Sequence, residues 1–319
     1  LSVLLFLSVL VIAALAGLLR PTDIGLRSAL VGATVPASHL VAAMGISRTT
    51  MDSAKIGGAL LGTGFMALFG MAPAYMVITG IYLTGALLTL FTDGKPVSGP
   101  AMAAGGIAAP KASPWLDLKE GMAYIWRTPR MLASMSVAAL VNLTAYPLTL
   151  GLMPYIARNI FHLDQQGLGQ LVASFSLGAL IGSIAISVLG PYLRPARTMV
   201  AACAIWFIFL LGFALSSDVR VAMGLLLCAG IMQSLSMLTL TVILLRTSDQ
   251  RFRSRIMGVR MLAIYPLPLG LLIAGALIPK LGYQETAISM VICGLLLTAA
   301  LAITWRRDIF PSDAPGNGI

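Results

Sequence analysis

Charge is scarce in this sequence. Lysine, arginine, aspartate and glutamate make up 10% of its 319 residues, where soluble domains carry about 25%. Acidic side chains are the rarer sign, 11 against 21 basic. With 58% hydrophobic residues and a strongly positive mean hydropathy, the chain does not read as a soluble domain. Cysteine and histidine are nearly absent too. Cys203, Cys228 and Cys293 lie inside apolar runs without the spacing of a disulfide framework or metal site, and read as small buried hydrophobes. His39 and His162 stand alone. There is no phosphate-binding loop, catalytic triad or metal-ligand cluster, so neither cofactor nor metal is expected and the chain does not read as an enzyme.

What the chain has in quantity is apolar length. Segments long enough to cross about 30 Å of hydrocarbon fall at roughly 3–33, 52–70, 72–92, 130–157, 166–190, 197–217, 219–245, 256–279 and 285–305. The expectation is an all-α polytopic membrane protein with nine spans. The first residues lack an initiator methionine and a basic leader, and the run leads straight into more spans. It therefore reads as a span inside a longer protein rather than a cleaved signal.

The net charge of +10 could suggest nucleic acid, but its placement argues for a bilayer. One set of connections holds Arg48 and Lys55, then 95–130, Arg194 and Arg197, Arg246 to Arg260, and Arg306 with Arg307. The alternate set holds only Arg158, Arg220 and Lys280. Positive residues stay on the cytoplasmic side, so the first span runs inward and the C-terminus is cytoplasmic. A multi-pass protein of the cell (inner) membrane follows.

One cluster breaks the apolar pattern. Arg20, Asp23 and Arg27 are spaced i, i+3, i+7 and share one helix face. Such groups are costly among lipids and usually face a bundle interior or a water-filled cavity. The other reading is an anchor near a membrane boundary, with Pro21 kinking the helix.

Residues 93–114 are rich in Gly, Pro, Ala and Ser, as a flexible linker is. Behind it, 115–126 reads as an amphipathic helix with Leu118, Met122 and Ile125 on one face, suited to lie against the inner membrane surface. The expected organisation is three spans over 1–92, a cytoplasmic linker with its helix over 93–129, six spans over 130–306 and a tail over 307–319. A weak repeat supports this division. The 35–45 stretch recurs at 248–258, with Met44-Gly45 matching Met257-Gly258, Gly62 matching Gly275 and Gly70 matching Gly282. Two six-span halves are implied, with three spans expected ahead of Leu1.

Three motifs in this order and spacing resemble the major facilitator superfamily, in its branch of bacterial drug and siderophore exporters. They are 34–40 after the first span, 117–121 through Pro129 before the six-span half, and 247–258 in the penultimate cytoplasmic loop. The resemblance implies a partial fold with nine of twelve transmembrane helices. The family's gating motif is degenerate here, keeping Gly190, Arg194 and Arg197 without an aspartate.

The same resemblance places the first, fourth and seventh spans of this chain along a central pathway for a small-molecule substrate. Candidate pathway residues are Arg20, Asp23 and Arg27 on the first span. On the fourth, Asn142, Tyr146, Thr149 and Met153 recur at i, i+4, i+7 and i+11; Gln233 and Ser236 lie on the seventh. Membrane amides and hydroxyls can equally serve only to hydrogen-bond a neighbouring helix. Gly58 with Gly62 and Gly178 with Gly182 are small-xxx-small pairs for close helix packing, by family analogy between the two halves. Arg251, Arg253 and Arg255 read as positive-inside anchors near anionic lipid.

The function expected is secondary active transport by alternating access, in the export direction, driven by protons or another coupling ion. Asp23 is the acidic residue well inside a span. Its arginine neighbours favour the carboxylate and oppose protonation, so a carboxylate in the spans expected ahead of Leu1 is the alternative carrier. The rival readings are a non-transporting membrane subunit, a membrane-embedded enzyme or an inactive fragment.

The topology is directly testable. In a cysteine-free background, an impermeant thiol reagent applied to intact cells should label His162→Cys but not Gly105→Cys. The reverse pattern would invert the assignment.

Overall fold

The computed structural model describes residues 40–90, 114–189, 193–248 and 252–306. The first span (3–33) with Arg20, Asp23 and Arg27, the linker 93–113, Gly190, Arg251 and the tail 307–319 lie outside the described residues. Contacts divide the chain into two units, Leu1–Ser47 with Asp93–Lys111 and Arg48–Thr92 with Ala112–Ile319. Apart from the start of the first helix, the described residues belong to the second unit.

Every described element is a helix, as a bilayer requires, because hydrocarbon offers the backbone no hydrogen-bond partner. Helix α1 (Leu40–Phe69) ends where Gly70 takes a positive φ of 83°, a conformation that costs glycine little. Helix α2 (Met71–Leu90) follows at once and exposes nearly all its apolar side chains, Tyr75, Met76, Ile81 and Tyr82 among them. Only lipid or further protein can cover such a surface.

The six-span half is a bundle of alternating direction. Helix α3 (Pro114–Arg127) leads through extended Thr128 into α4 (Pro129–Thr144), where Pro129 occupies the first turn and leaves no helical donor unmet. Then come α5 (Gln165–Leu189), α6 (Pro195–Leu215), α7 (Val219–Thr247), α8 (Arg253–Leu262), α9 (Pro266–Leu281) and α10 (Tyr283–Thr304). Six helical stretches among the described residues are long and apolar enough to cross a membrane: Met71–Leu88, Gln165–Ile186, Pro195–Leu215, Val219–Leu244, Arg255–Leu281 and Tyr283–Thr304.

The segment 130–157, expected as one span, is helical but not continuous. Beyond Thr144 it continues as the π turn Pro147–Gly151, the short Met153–Tyr155 and a second π turn, Ile156–Ile160. Pro147 and Pro154 lack the amide hydrogens that an unbroken ladder needs, and the wider turns absorb the gap. The Leu152 amide reaches back to the Pro147 carbonyl at 2.8 Å and the Phe161 amide to Ile156 at 3.1 Å.

Helix α7 sits at the centre, against α4, α5 and α6. Its closest approach is to α5. A Cβ at Gly178 would collide with the Leu227 carbonyl, one at Gly182 with the Ile231 carbonyl, and one at Gly230 of α7 with the Phe175 carbonyl. Gly178 and Gly182 of α5 thus lie close against α7 of the same bundle. Gly58 and Gly62 meet nothing within 4 Å. Across the bundle, Trp206, Phe207, Leu210 and Phe213 of α6 are fully buried, with Gly294 of α10 against the Phe207 ring. Outward positions such as Ile184, Ile208, Leu272 and Leu296 stay exposed, as lipid-facing residues do.

The charges lie at the bundle's two ends. Arg130, Arg194, Arg197, Arg246, Arg255 and Arg306 sit at the end that carries α3; Arg158, Arg220 and Lys280 share the other with Asp164, Asp218 and Glu285. The α3 helix corrects one expectation. It packs on α8, with Gly121 against Val259 and the Arg255 backbone, and it buries Ile125 while Met122 is exposed. Protein, not only a membrane surface, takes up its apolar face.

Gly178→Ala should drive α5 and α7 apart and cost about 1–3 kcal/mol, the usual range for overpacking. Gly224→Ala on α7, where a Cβ meets nothing within 4 Å, should be neutral or slightly stabilising. Thermal unfolding in detergent compares them; equal midpoints would refute the contact.

Candidate substrate pathway

The polar residues of α4 and α7 lie inside an otherwise apolar bundle, so each must find a partner or carry a desolvation cost. Asn142 is 8% exposed and donates from Nδ2 to the Ala138 carbonyl of its own helix at 2.8 Å. Thr149 is buried too, with a long 3.4 Å contact to the Ala145 carbonyl, and Met153 is enclosed beyond the first π turn. These are local solutions: each hydroxyl or amide uses the carbonyl one turn back.

Tyr146 and Gln233 differ. Gln233, 4% exposed, donates from Nε2 to the Tyr146 hydroxyl at 2.8 Å, joining α4 to α7 across 87 residues of sequence. The half-buried Tyr146 ring stands edge-on to Trp206 with centroids 5.3 Å apart, a favourable aromatic geometry. Ser236, one turn beyond Gln233, is fully buried and donates to the Met199 carbonyl of α6 at 3.0 Å. The structure thus brings Tyr146 and Gln233 together directly. It turns Ser236 towards α6 and leaves Asn142 and Thr149 bonded within α4.

Sequence reasoning missed Trp206. Its indole is fully buried and its Nε1 has no hydrogen-bond partner among the described residues, beside the ring that Gln233 engages. A signal was available: tryptophan favours the ends of membrane helices, whereas Trp206 lies in the middle of the run 195–215. Together the indole, phenol and amide offer one unused donor and a polarised aromatic wall. Trp206 and Gln233 are both buried here, and the cluster supplies no nucleophile.

At the α3 end, Arg194 is exposed immediately before α6 and Arg197 is half-buried in its first turn, while Arg253 opens α8. Arg255 is more than an anchor. It pairs with Glu120 of α3 at 2.5 Å and lies 5.5 Å from the centroid of the Phe252 ring, which stacks on Tyr124 at 4.8 Å. Both charged partners are partly exposed, so the ion pair contributes little alone. Stacking and the close Gly121 contact hold α3 in register with α8.

The Gln233–Tyr146 bond should appear as thermodynamic coupling. Tyr146→Phe strands a buried amide and should cost about 1–3 kcal/mol. In a Gln233→Leu background the same change should cost less by about 0.6–2 kcal/mol, the range for polar contacts between membrane helices. A double-mutant cycle of unfolding in mixed micelles measures the difference, and additive effects would show that the bond carries no energy.

A sequence model of the Major Facilitator Superfamily matches residues 1–267 and 135–317. The chain is also similar to the multidrug efflux pump Tap of Mycolicibacterium fortuitum, at 25% identity over 201 residues. That alignment covers 61% of this chain and 48% of the relative, so the chain spans about half the length of the curated protein it matches. The family match runs from the opening apolar run through α10 and agrees with the all-helical, membrane-spanning architecture, and the chain accordingly belongs to the Major Facilitator Superfamily.

Proposed function

We propose that this chain forms most of a secondary active transporter that exports small amphipathic or aromatic molecules by alternating access. The observation that carries the reading is the Gln233–Tyr146 bond beside the unpartnered Trp206 indole. It is an exchangeable polar and aromatic contact between two helices inside a lipid-facing bundle. A donor held by a neighbouring hydroxyl can be released to a solute at little net cost, since one hydrogen bond replaces another. The multidrug relative supports the substrate class. Asn142, Thr149, Met153 and Ser236 shape the wall behind this contact.

Energy comes from an ion gradient. The acidic side chains described in the bundle, Glu120, Asp164, Asp218 and Glu285, all lie at the bundle's two ends. Asp23, between Arg20 and Arg27, is this chain's candidate for the coupling carboxylate. The excess of arginine at the α3 end supports a cytoplasmic location for that end and for the C-terminus, in the cell (inner) membrane. Arg194, Arg197 and the Arg255–Glu120 pair then stand at the cytoplasmic gate.

Efflux of a fluorescent lipophilic cation from energised cells tests the reading. Gln233→Ala should lower flux by about tenfold or more, equivalent to about 1.4 kcal/mol, with surface expression retained. Asp23→Asn should abolish gradient-driven efflux yet preserve substrate exchange, whereas Arg27→Gln should be milder because Arg20 still compensates Asp23. Unimpaired active efflux by Asp23→Asn would place coupling elsewhere, and unimpaired efflux by Gln233→Ala would remove the α4–α7 contact from the pathway.

A further inference from the structure

Two apolar hollows run along α10. The first, about 440 Å³, lies between α4 and α10 and is walled by Ala139, Leu143, Leu297, Ala300 and Leu301, with Trp305 at its mouth. The second, about 530 Å³, opens at the other end of α10 beside Glu285. From Leu297 to Thr304 the first hollow follows seven residues of helix, about 10 Å at ~1.5 Å per residue. That is a large part of one leaflet's hydrocarbon depth, about half of ~30 Å. Its floor includes Pro266, the first residue of α9 after the break at 263–265.

The mouth is built for a headgroup. Trp305 ends α10 at the level where indoles sit in membrane interfaces, and exposed Arg306 follows it. Ser136 and Thr304 add hydroxyls to the lining. Among the described side chains of the bundle, the one carboxylate at this end is Glu120, and Arg255 engages it. The local field therefore favours an anion held over an apolar slot that runs along the helices.

We infer that the α4–α10 groove is a binding site for one acyl chain of an anionic glycerophospholipid, whose phosphate is held by Arg306. A zwitterionic lipid fits the same slot but gains less from this arginine. A basic residue near an anionic lipid surface is worth about fivefold in binding. Because Pro266 floors the groove, the bound chain also rests against the α8–α9 break.

Native mass spectrometry of the full, delipidated chain tests this, titrating phosphatidylglycerol and phosphatidylcholine with identical acyl chains. Phosphatidylglycerol should bind more tightly by about fivefold or more. Arg306→Gln should lower its affinity about fivefold and leave phosphatidylcholine unchanged. Ala300→Trp, at an exposed position, should fill the slot and weaken both lipids, and Ile292→Trp in the second hollow should weaken neither. If Ala300→Trp does not fold, Ala139→Phe on the facing wall gives the same readout. Equal affinity for the two lipids, no effect of Arg306→Gln, or equal loss from Ile292→Trp and Ala300→Trp would each overturn the site.

Discussion

The close contact between α5 and α7 is the constraint on which the bundle depends. Glycines at 178, 182 and 230 let backbone carbonyls of one helix lie against the other, a distance that no side chain permits. In a bilayer, lipid tails compete with side chains for apolar contact, so packing this close replaces the hydrophobic drive that gathers helices in water. With α5 drawn in, α7 touches α4 and α6 as well, and its polar residues face protein on three sides.

That central position explains how Gln233 and Ser236 are tolerated. An amide exposed to hydrocarbon would carry an unmet hydrogen-bonding demand, but each residue finds a partner on a different helix, Tyr146 on α4 and Met199 on α6. The Ser236 bond ends on a backbone carbonyl and is a fixed tie. The Gln233 bond ends on a phenol that is half-buried and flanked by an indole with an idle donor.

The ends of the bundle answer a different demand. Charges leave the hydrocarbon and collect where water and headgroups meet, and the two ends differ in sign balance. At the basic end the short α3 helix, which follows the linker, is bound to α8 through Gly121, the Tyr124–Phe252 stack and the Glu120–Arg255 pair. The penultimate span is itself broken at 263–265, so α8 rests on α3 while α9 rests on α4 and α10.

Hydropathy, charge placement and proline spacing are local properties, and they determined what local properties can. From them came the all-helical membrane class and the basic asymmetry of the loops. The candidate residues Tyr146 and Gln233 were legible as polar intrusions at helical spacing. Their partnership was not, because it joins helices 87 residues apart. Tertiary structure alone decided that Gly178 and Gly182 meet α7, that Arg255 pairs with α3, and that Trp206 stands against Tyr146. Each depends on which face of one helix meets which face of another. Periodicity shows that a helix has a small, polar or apolar face, but the neighbour is chosen only when all the helices pack at once.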